Sequence, residues 1–258
     1  MRIVIKIGTS TLAYPTGHLH IRRTEELCRT VSDIKNAGHE ILLVSSGAIG
    51  MGVGKLSLKE RPSDIPTKQA AAAVGQCELM YTYDRLFGAY NHTVAQILLT
   101  GDDFNHADRL TNVRNTMRRL LELGALPVIN ENDSIATDEI KVGDNDTLSA
   151  YVAVQTRADL LILLSDINGL YTADPHTDPS AQLITQVHGI TEEIRRLAGG
   201  EGSALATGGM RTKLHAAEIC GANGCDMVIA NGADPSILYA IIEGRPAACT
   251  RFYAERRD

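Results

Sequence analysis

Ile3-Val4-Ile5-Lys6-Ile7-Gly8-Thr9-Ser10 opens the chain with an apolar run, a lysine inside it, and a small, hydroxyl-bearing turn behind it. The apolar residues are consecutive rather than alternating, as expected of a strand covered on both faces. A lysine in such a strand is costly unless its ammonium reaches an anion or water. Gly8 lets the backbone approach a ligand closely, and the N–H groups after it can form an anion nest. A lysine that snorkels from the strand end explains Lys6 equally well. This segment alone decides a strand, not a site.

Similar runs follow at residues 41–44, 94–99, 126–129, 160–164 and 227–230, with a last strand expected near 247–251. Helical patterns lie between them. Leu110, Val113, Met117, Leu120 and Leu121 share one stripe. A second helix is expected after Gly208-Gly209, carrying Met210, Leu214 and Ala217 and stopped by Gly221 and Gly224. Strand–helix–strand alternation predicts an α/β fold with a mostly parallel, helix-covered sheet. Ligands of such sheets bind beyond the carboxyl ends of the strands.

With 258 residues, 44% of them hydrophobic, the chain can bury a substantial core. We expect one domain over 1–258, with an N-terminal lobe to about 155 and a C-terminal lobe from about 156. The Gly-rich span 199–203 reads as a mobile loop rather than a linker. A net charge of −6 carries no electrostatic footprint for nucleic acid or an anionic membrane. Met1 runs straight into a strand, so no secretory signal is read, and the longest apolar runs are too short to cross a bilayer. The five cysteines are odd in number and scattered, which suits reduced thiols in a cytoplasmic protein. Cys220 and Cys225 lack zinc spacing and read as small buried hydrophobes. The eight histidines form no HExxH pair and no Ser/His/Asp set, and His18 and His20 read as part of a surface turn.

The strand ends hold the chemistry. Ser45-Ser46-Gly47-Ala48-Ile49-Gly50 has an anion-binding composition. Its continuation through Gly52, Gly54 and Lys55 is not a Walker A loop, because Ile49 stands where glycine is required and Leu56 replaces the Ser/Thr. Asn130-Glu131-Asn132-Asp133 and Gly143-Asp144-Asn145-Asp146 are amide–carboxylate clusters suited to an ammonium, a metal ion or a lysine. Asx-rich turns are the plainer explanation of either cluster taken singly. Ser165-Asp166 closes the fifth run. Thr207-Gly208-Gly209-Met210-Arg211-Thr212-Lys213 offers helix N-terminal donors to a polyphosphate, with Lys213 one turn inside.

In order and over nearly the whole chain, these segments, with Gly169-Leu170-Tyr171-Thr172-Ala173-Asp174-Pro175, resemble the glutamate kinases of the amino-acid kinase superfamily. The resemblance implies a three-layer α/β/α sandwich around an open, mainly parallel, roughly eight-stranded sheet. It implies transfer of the ATP γ-phosphoryl group to the side-chain carboxylate of L-glutamate, the first step of proline biosynthesis, with Mg²⁺. Carried over by motif, ATP contacts Lys6, Ser165, Asp166, Thr207, Gly208, Gly209, Met210, Arg211, Thr212 and Lys213. Glutamate contacts Ser46, Asp133 and Asn145. Asp146 orients Lys6 and Lys213, the catalytic pair. On this reading Asp133 and its neighbours take the α-ammonium, while Ser46 and local N–H groups take the α-carboxylate.

The resemblance further implies a homo-oligomer (dimer or tetramer), inhibition by proline, and a channelling partnership with glutamate-5-semialdehyde dehydrogenase. The RNA-binding-type PUA domain that often follows in the family is not expected in this chain. Ser45 stands where the family pattern leads one to expect threonine. Two rival readings remain at this point: a kinase for another small acid, and a non-catalytic sensor of nucleotide or amino acid.

Overall fold

Apolar strands with no polar face must be covered on both sides, and the computed structural model shows how this is done. It describes residues 1–14, 16–136, 145–175, 177–198 and 209–255. The strands are β1 (Arg2–Ile7), β2 (Glu40–Ser45), β3 (Val94–Leu99), β4 (Leu126–Glu131), β5 (Leu160–Ser165), β6 (Leu170–Tyr171), β7 (Leu183–Ile184), β8 (Gln186–His188), β9 (Asp226–Asn231) and β10 (Cys249–Tyr253). The helices among the described residues are α1 (Thr9–Leu12), α2 (Ile21–Asn36), α3 (Ala48–Lys55), α4 (Ile65–Gly88), α5 (Gly101–Asn105), α6 (Ala107–Glu122), α7 (Asn145–Thr156), α8 (Glu192–Leu197), α9 (Gly209–Ala222) and α10 (Ile237–Ile242).

Eight strands form one sheet in the order β3-β4-β2-β1-β5-β9-β10-β8, and β6 pairs with β7 in a separate ribbon. All pairs from β3 to β9 are parallel, and β10 runs antiparallel to β9. The chain therefore starts mid-sheet, lays β2 beside β1, places β3 at the edge and fills the gap with β4, then crosses to the other side of β1 to lay down β5 and β9. The order reverses between β1 and β5, which is where open α/β sheets form their ligand crevice.

Side chains alternate between the two faces, and the packing follows that period. Val4, Val44, Leu161, Leu163 and Ile229 pack on one face with Met117 of α6, Val152 of α7 and Leu214 of α9. Ile3, Ile5, Leu43, Ile162 and Val228 pack on the other with Val31 of α2, Leu79 and Tyr83 of α4 and Leu238 of α10. The same alternation puts Lys6 on the α7/α9 face and Ser45 on the α4 face.

The expected strands all form, each within two residues of its predicted limits; the last, expected near 247–251, runs Cys249–Tyr253. The short strands β6, β7 and β8 were not foreseen. Two or three residues cannot display a period. Cys28, Cys220 and Cys225 are buried free thiols, whereas Cys77 is exposed and Cys249 half-buried. His20 caps α2 by accepting from the Arg23 N–H at 3.4 Å. The span 199–203 lies outside the described residues.

Helices α3 and α4 meet backbone to backbone. A Cβ on Gly52 would stand 1.8 Å from the Ala71 carbonyl oxygen, and one on Gly75 would stand 1.8 Å from that of Ala48. Gly75→Ala is therefore expected to lower stability by about 1–3 kcal/mol through overpacking, against the ~1 kcal/mol that alanine contributes in an open helix. Gly88→Ala, at the end of the same helix with nothing within 4 Å, is the control and is expected not to destabilise. Thermal melting of the two variants checks the sign. Equal shifts would mean that α3 and α4 separate without cost.

Candidate active site

At the carboxyl end of β1, Lys6 meets the first turn of α7. Its Nζ lies 2.7 Å from Asp146 Oδ1, and Lys213 Nζ, from the first turns of α9, lies 2.9 Å from Asp146 Oδ2. Thr212 Oγ1 donates to the same Oδ2 at 3.2 Å, and Lys213 Nζ also donates to the Gly209 carbonyl at 3.2 Å. All three charged residues are buried, Asp146 with 2% exposure. One carboxylate thus bridges two ammonium groups and leaves the cluster with one net positive charge. An ammonium has three donors. Lys6 commits one to Asp146, so the others are available to an incoming anion.

Burial alone would raise the Asp146 carboxyl. The ammonium groups of Lys6 and Lys213 outweigh it and hold the carboxyl below the ordinary carboxylate range. Asp146 therefore stays ionised at neutral pH and serves to hold the lysines, not to take up protons.

Asn145 does for the strand ends what Asp146 does for the lysines. Its Nδ2 lies 2.9 Å from Ser46 Oγ, 2.9 Å from Asn130 Oδ1 and 3.1 Å from the Ser45 carbonyl. Asn130 in turn donates to Gln76 Oε1 at 2.9 Å, and Ser45 Oγ pairs with the Tyr83 hydroxyl at 2.9 Å. Ser46 Oγ accepts from Asn145, and its own O–H remains to donate to another group.

Ser46 lines a cleft of ≈ 480 Å³, together with Lys6, Asp133, Asn145, Arg61 and Lys68 among others. Ala48, Ile49 and Gly50, whose amides open α3, line it too. The first intrahelical bond there is made by Met51 N–H, so the three amides before it are open to an anion. Gly47 allows this turn by adopting φ 101. A wider hollow of ≈ 1120 Å³ around Asp159, His188, Asp226 and Tyr253 sits where β5 and β9 begin and contains neither lysine. We place the site by its chemistry, in the smaller cleft.

Ser165 and Asp166 lie at the end of β5, the strand beside β1 on the side away from the cleft. Ser165 Oγ donates to Asp166 Oδ1 at 3.0 Å. Gly209, Met210, Arg211 and Thr212 form the start of α9, so the expected nucleotide residues flank the lysines on the β5/β9 side. Thr207, Gly208, Gly143 and Asp144 lie outside the described residues. Arg61, Lys68, Gln76 and Tyr83 were missed from the sequence. Each comes from α4 or the segment before it, where no motif distinguishes residues that face the cleft from those that do not.

A profile of the amino acid kinase family matches residues 1–231. The chain belongs to the amino acid kinase family. It is 51% identical to the glutamate 5-kinase of Clostridium perfringens, covering 100% of this chain and 97% of that one. It is 55% identical to the glutamate 5-kinase of Clostridium acetobutylicum, over 93% of this chain and 90% of the relative. Among solved structures, carbamate kinase from Giardia lamblia bound to AMP-PNP shares the fold with a TM-score of 0.67 at 19% identity, covering 98% of each chain. UMP kinase from Ureaplasma parvum does so at 0.65 and 15%, again covering 98% of each chain. As in the amino acid kinase family at large, ATP is the expected phosphoryl donor.

The lowered Asp146 value sets a pH dependence. A depressed carboxyl stabilises the fold above its unfolded value of about 3.9 and loses that stabilisation as pH falls through the folded value. Asp146→Asn leaves two buried ammonium groups uncompensated and is expected to cost about 3 kcal/mol at neutral pH. Urea titrations from pH 7 to pH 3 should show the gap between parent and variant narrowing at the acid end. A gap of the same size at both ends would mean that Asp146 is not the carboxylate holding the lysines.

Proposed function

We propose that the chain transfers the γ-phosphoryl group of ATP to the γ-carboxylate of L-glutamate, giving L-glutamyl 5-phosphate, the first step of proline biosynthesis. One observation carries the reading: Lys6 belongs both to the charge cluster around Asp146 and to the wall of the cleft that holds Ser46, Asp133 and Asn145. The glutamate 5-kinase names of relatives at 50% identity and above support the choice of acceptor.

On this reading ATP lies against Ser165, Asp166 and the 207–213 segment, and glutamate lies in the cleft. Asp133 takes its ammonium. A carboxylate is already nucleophilic, so no general base is required. Its oxygen forms the new bond to the γ-phosphorus as the bond to the bridging oxygen breaks, and ADP leaves with that electron pair. Catalysis is then alignment and charge neutralisation. Lys6 and Lys213 stand on either side of Asp146, which fixes their separation, and they neutralise the phosphoryl group between two anions.

Among the described residues no group of three His, Cys, Asp or Glu side chains is placed to hold a metal. Both Asp146 oxygens face lysines. This donor set suits Mg²⁺ that arrives on the ATP phosphates and keeps its waters, with Asp166 the exposed carboxylate at the β5 end closest in kind to a ligand. Bound there, Mg²⁺ would neutralise phosphate charge.

No helix among the described residues is long and apolar enough to cross a membrane. A cytoplasmic homo-oligomer, two lobes meeting near residue 155, and transfer of the labile acyl phosphate to glutamate-5-semialdehyde dehydrogenase belong to the same proposal.

Hydroxylamine trapping of the acyl phosphate, with ATP and Mg²⁺, should give hydroxamate with L-glutamate and little with aspartate or N-acetylglutamate. No hydroxamate from folded protein with any acidic amino acid would overturn the reading. Lys6→Ala and Lys213→Ala should each lower kcat by ~10²–10³-fold. Near-parental turnover in either variant would remove that lysine from the mechanism.

A further inference from the structure

Two more basic side chains line the cleft. Arg61 and Lys68 line it along with Lys6, although they come from the segment before α4 and from its first turns. Asp64 caps that helix by accepting from Thr67 N–H at 2.9 Å. A cation just inside a helix N-terminus opposes the macrodipole. The nearby Asp64 carboxylate offsets this in part: Thr67 holds its carboxyl below the ordinary range, and Lys68 adds a smaller lowering. Among the described residues, neither Lys68 nor Arg61 has a carboxylate within ion-pair distance, whereas Lys55, Arg109 and Arg195 pair with Glu78, Asp103 and Glu218 at 2.8, 3.4 and 2.8 Å. Arg61 and Lys68 thus share the cleft with the carboxylates Glu131 and Asp133 but form no direct ion pair among the described residues, which leaves donors for an anion from outside.

The cleft already has other anion-binding groups: Lys6, the α3 amides, and the Ser46 hydroxyl. These lie together, because Ser46 N–H donates to the Ile7 carbonyl at 3.1 Å, directly after Lys6. A second anionic group on the same small molecule therefore needs different partners. We propose that Arg61 and Lys68 form the subsite for the α-carboxylate of the acceptor, and so restrict the enzyme to acceptors in which that group is free and charged.

The inference rests on the glutamate reading and changes one assignment within it. The α-carboxylate moves from Ser46 to Arg61 and Lys68, and Ser46 serves the γ-carboxylate beside Lys6. A guanidinium can grip a carboxylate in two parallel bonds, and an ammonium adds a point charge. Both are specificity-determining residues that touch substrate away from the reacting atoms.

The test uses full-length protein in the hydroxamate assay, with L-glutamate as acceptor and L-isoglutamine, its α-amide, as competitor. Lys68→Met and Arg61→Gln are each expected to raise KM for glutamate about 10–100-fold. KM for ATP and the inhibition constant of isoglutamine should remain at parental values. Lys68→Arg should restore most of the loss in Lys68→Met. Melting temperatures report whether each variant is folded.

Parental KM for glutamate in the folded double variant would overturn the subsite. So would an isoglutamine constant that weakens as much as the glutamate KM, because the loss would then not depend on the carboxylate. A parent that phosphorylates no glutamate overturns the glutamate reading itself. An active parent with indifferent variants overturns the subsite alone.

Discussion

Everything in the site is referred to one buried carboxylate. Asp146 lies between Lys6 and Lys213, and without it two like charges would face each other in a poorly solvated space. Its ionisation is secured by the same lysines it holds apart. The arrangement is reciprocal, and so it defines a position as well as a charge. Lys6 comes from the central strand, Lys213 from the helix packed on β9, and Asp146 from the helix that packs on β1 and β5 beside it. Three elements distant in sequence are tied at one point.

The topology makes that point available. The strand order reverses beside β1, the place where an open α/β sheet forms its ligand crevice. Alternation along β1 sends Lys6 to the face that carries α7 and α9, the same face as Val4. Asn145 and Asp146 are neighbours at a helix start, and their side chains part: one goes to the ends of β2 and β4, the other to the lysines. A single helix terminus therefore sets the acceptor wall and the phosphoryl-binding cations relative to each other.

The long strands and the strand-end chemistry were legible in the sequence because each violates a simple expectation. A lysine in an apolar strand and paired amide–carboxylate clusters have no cheap explanation once they occur together. Lys6 and Asp146 stood out this way and Lys213 as a lysine one turn inside a Thr-Gly-Gly helix start, while the family resemblance implied their grouping; the structure brings the three into contact. Ser46, Asn145 and Asp133 were found by motif and share the cleft wall. Arg61 and Lys68 were not legible, because a basic residue near a helix start looks like solvated surface until the helix is placed. Gln76 and Tyr83 were hidden for a related reason: which side of a 24-residue helix, apolar over much of its circumference, meets the strand ends depends on how α4 packs. The short strands β6 to β8 contain too few residues to announce themselves.

The contact between α3 and α4 has one more consequence. At Gly52 and Gly75 no side chain separates the helices, so there is no soft layer that can be compressed or slid. The start of α3 contributes the amides beside Lys6, and the start of α4 contributes Lys68. Two backbones in direct contact thus turn the cleft into a gauge of fixed length. Under the proposed reading, an acceptor shorter by one methylene cannot fill both ends of that gauge at once. Selection for chain length would then be made by a pair of residues that have no side chain and never touch the substrate.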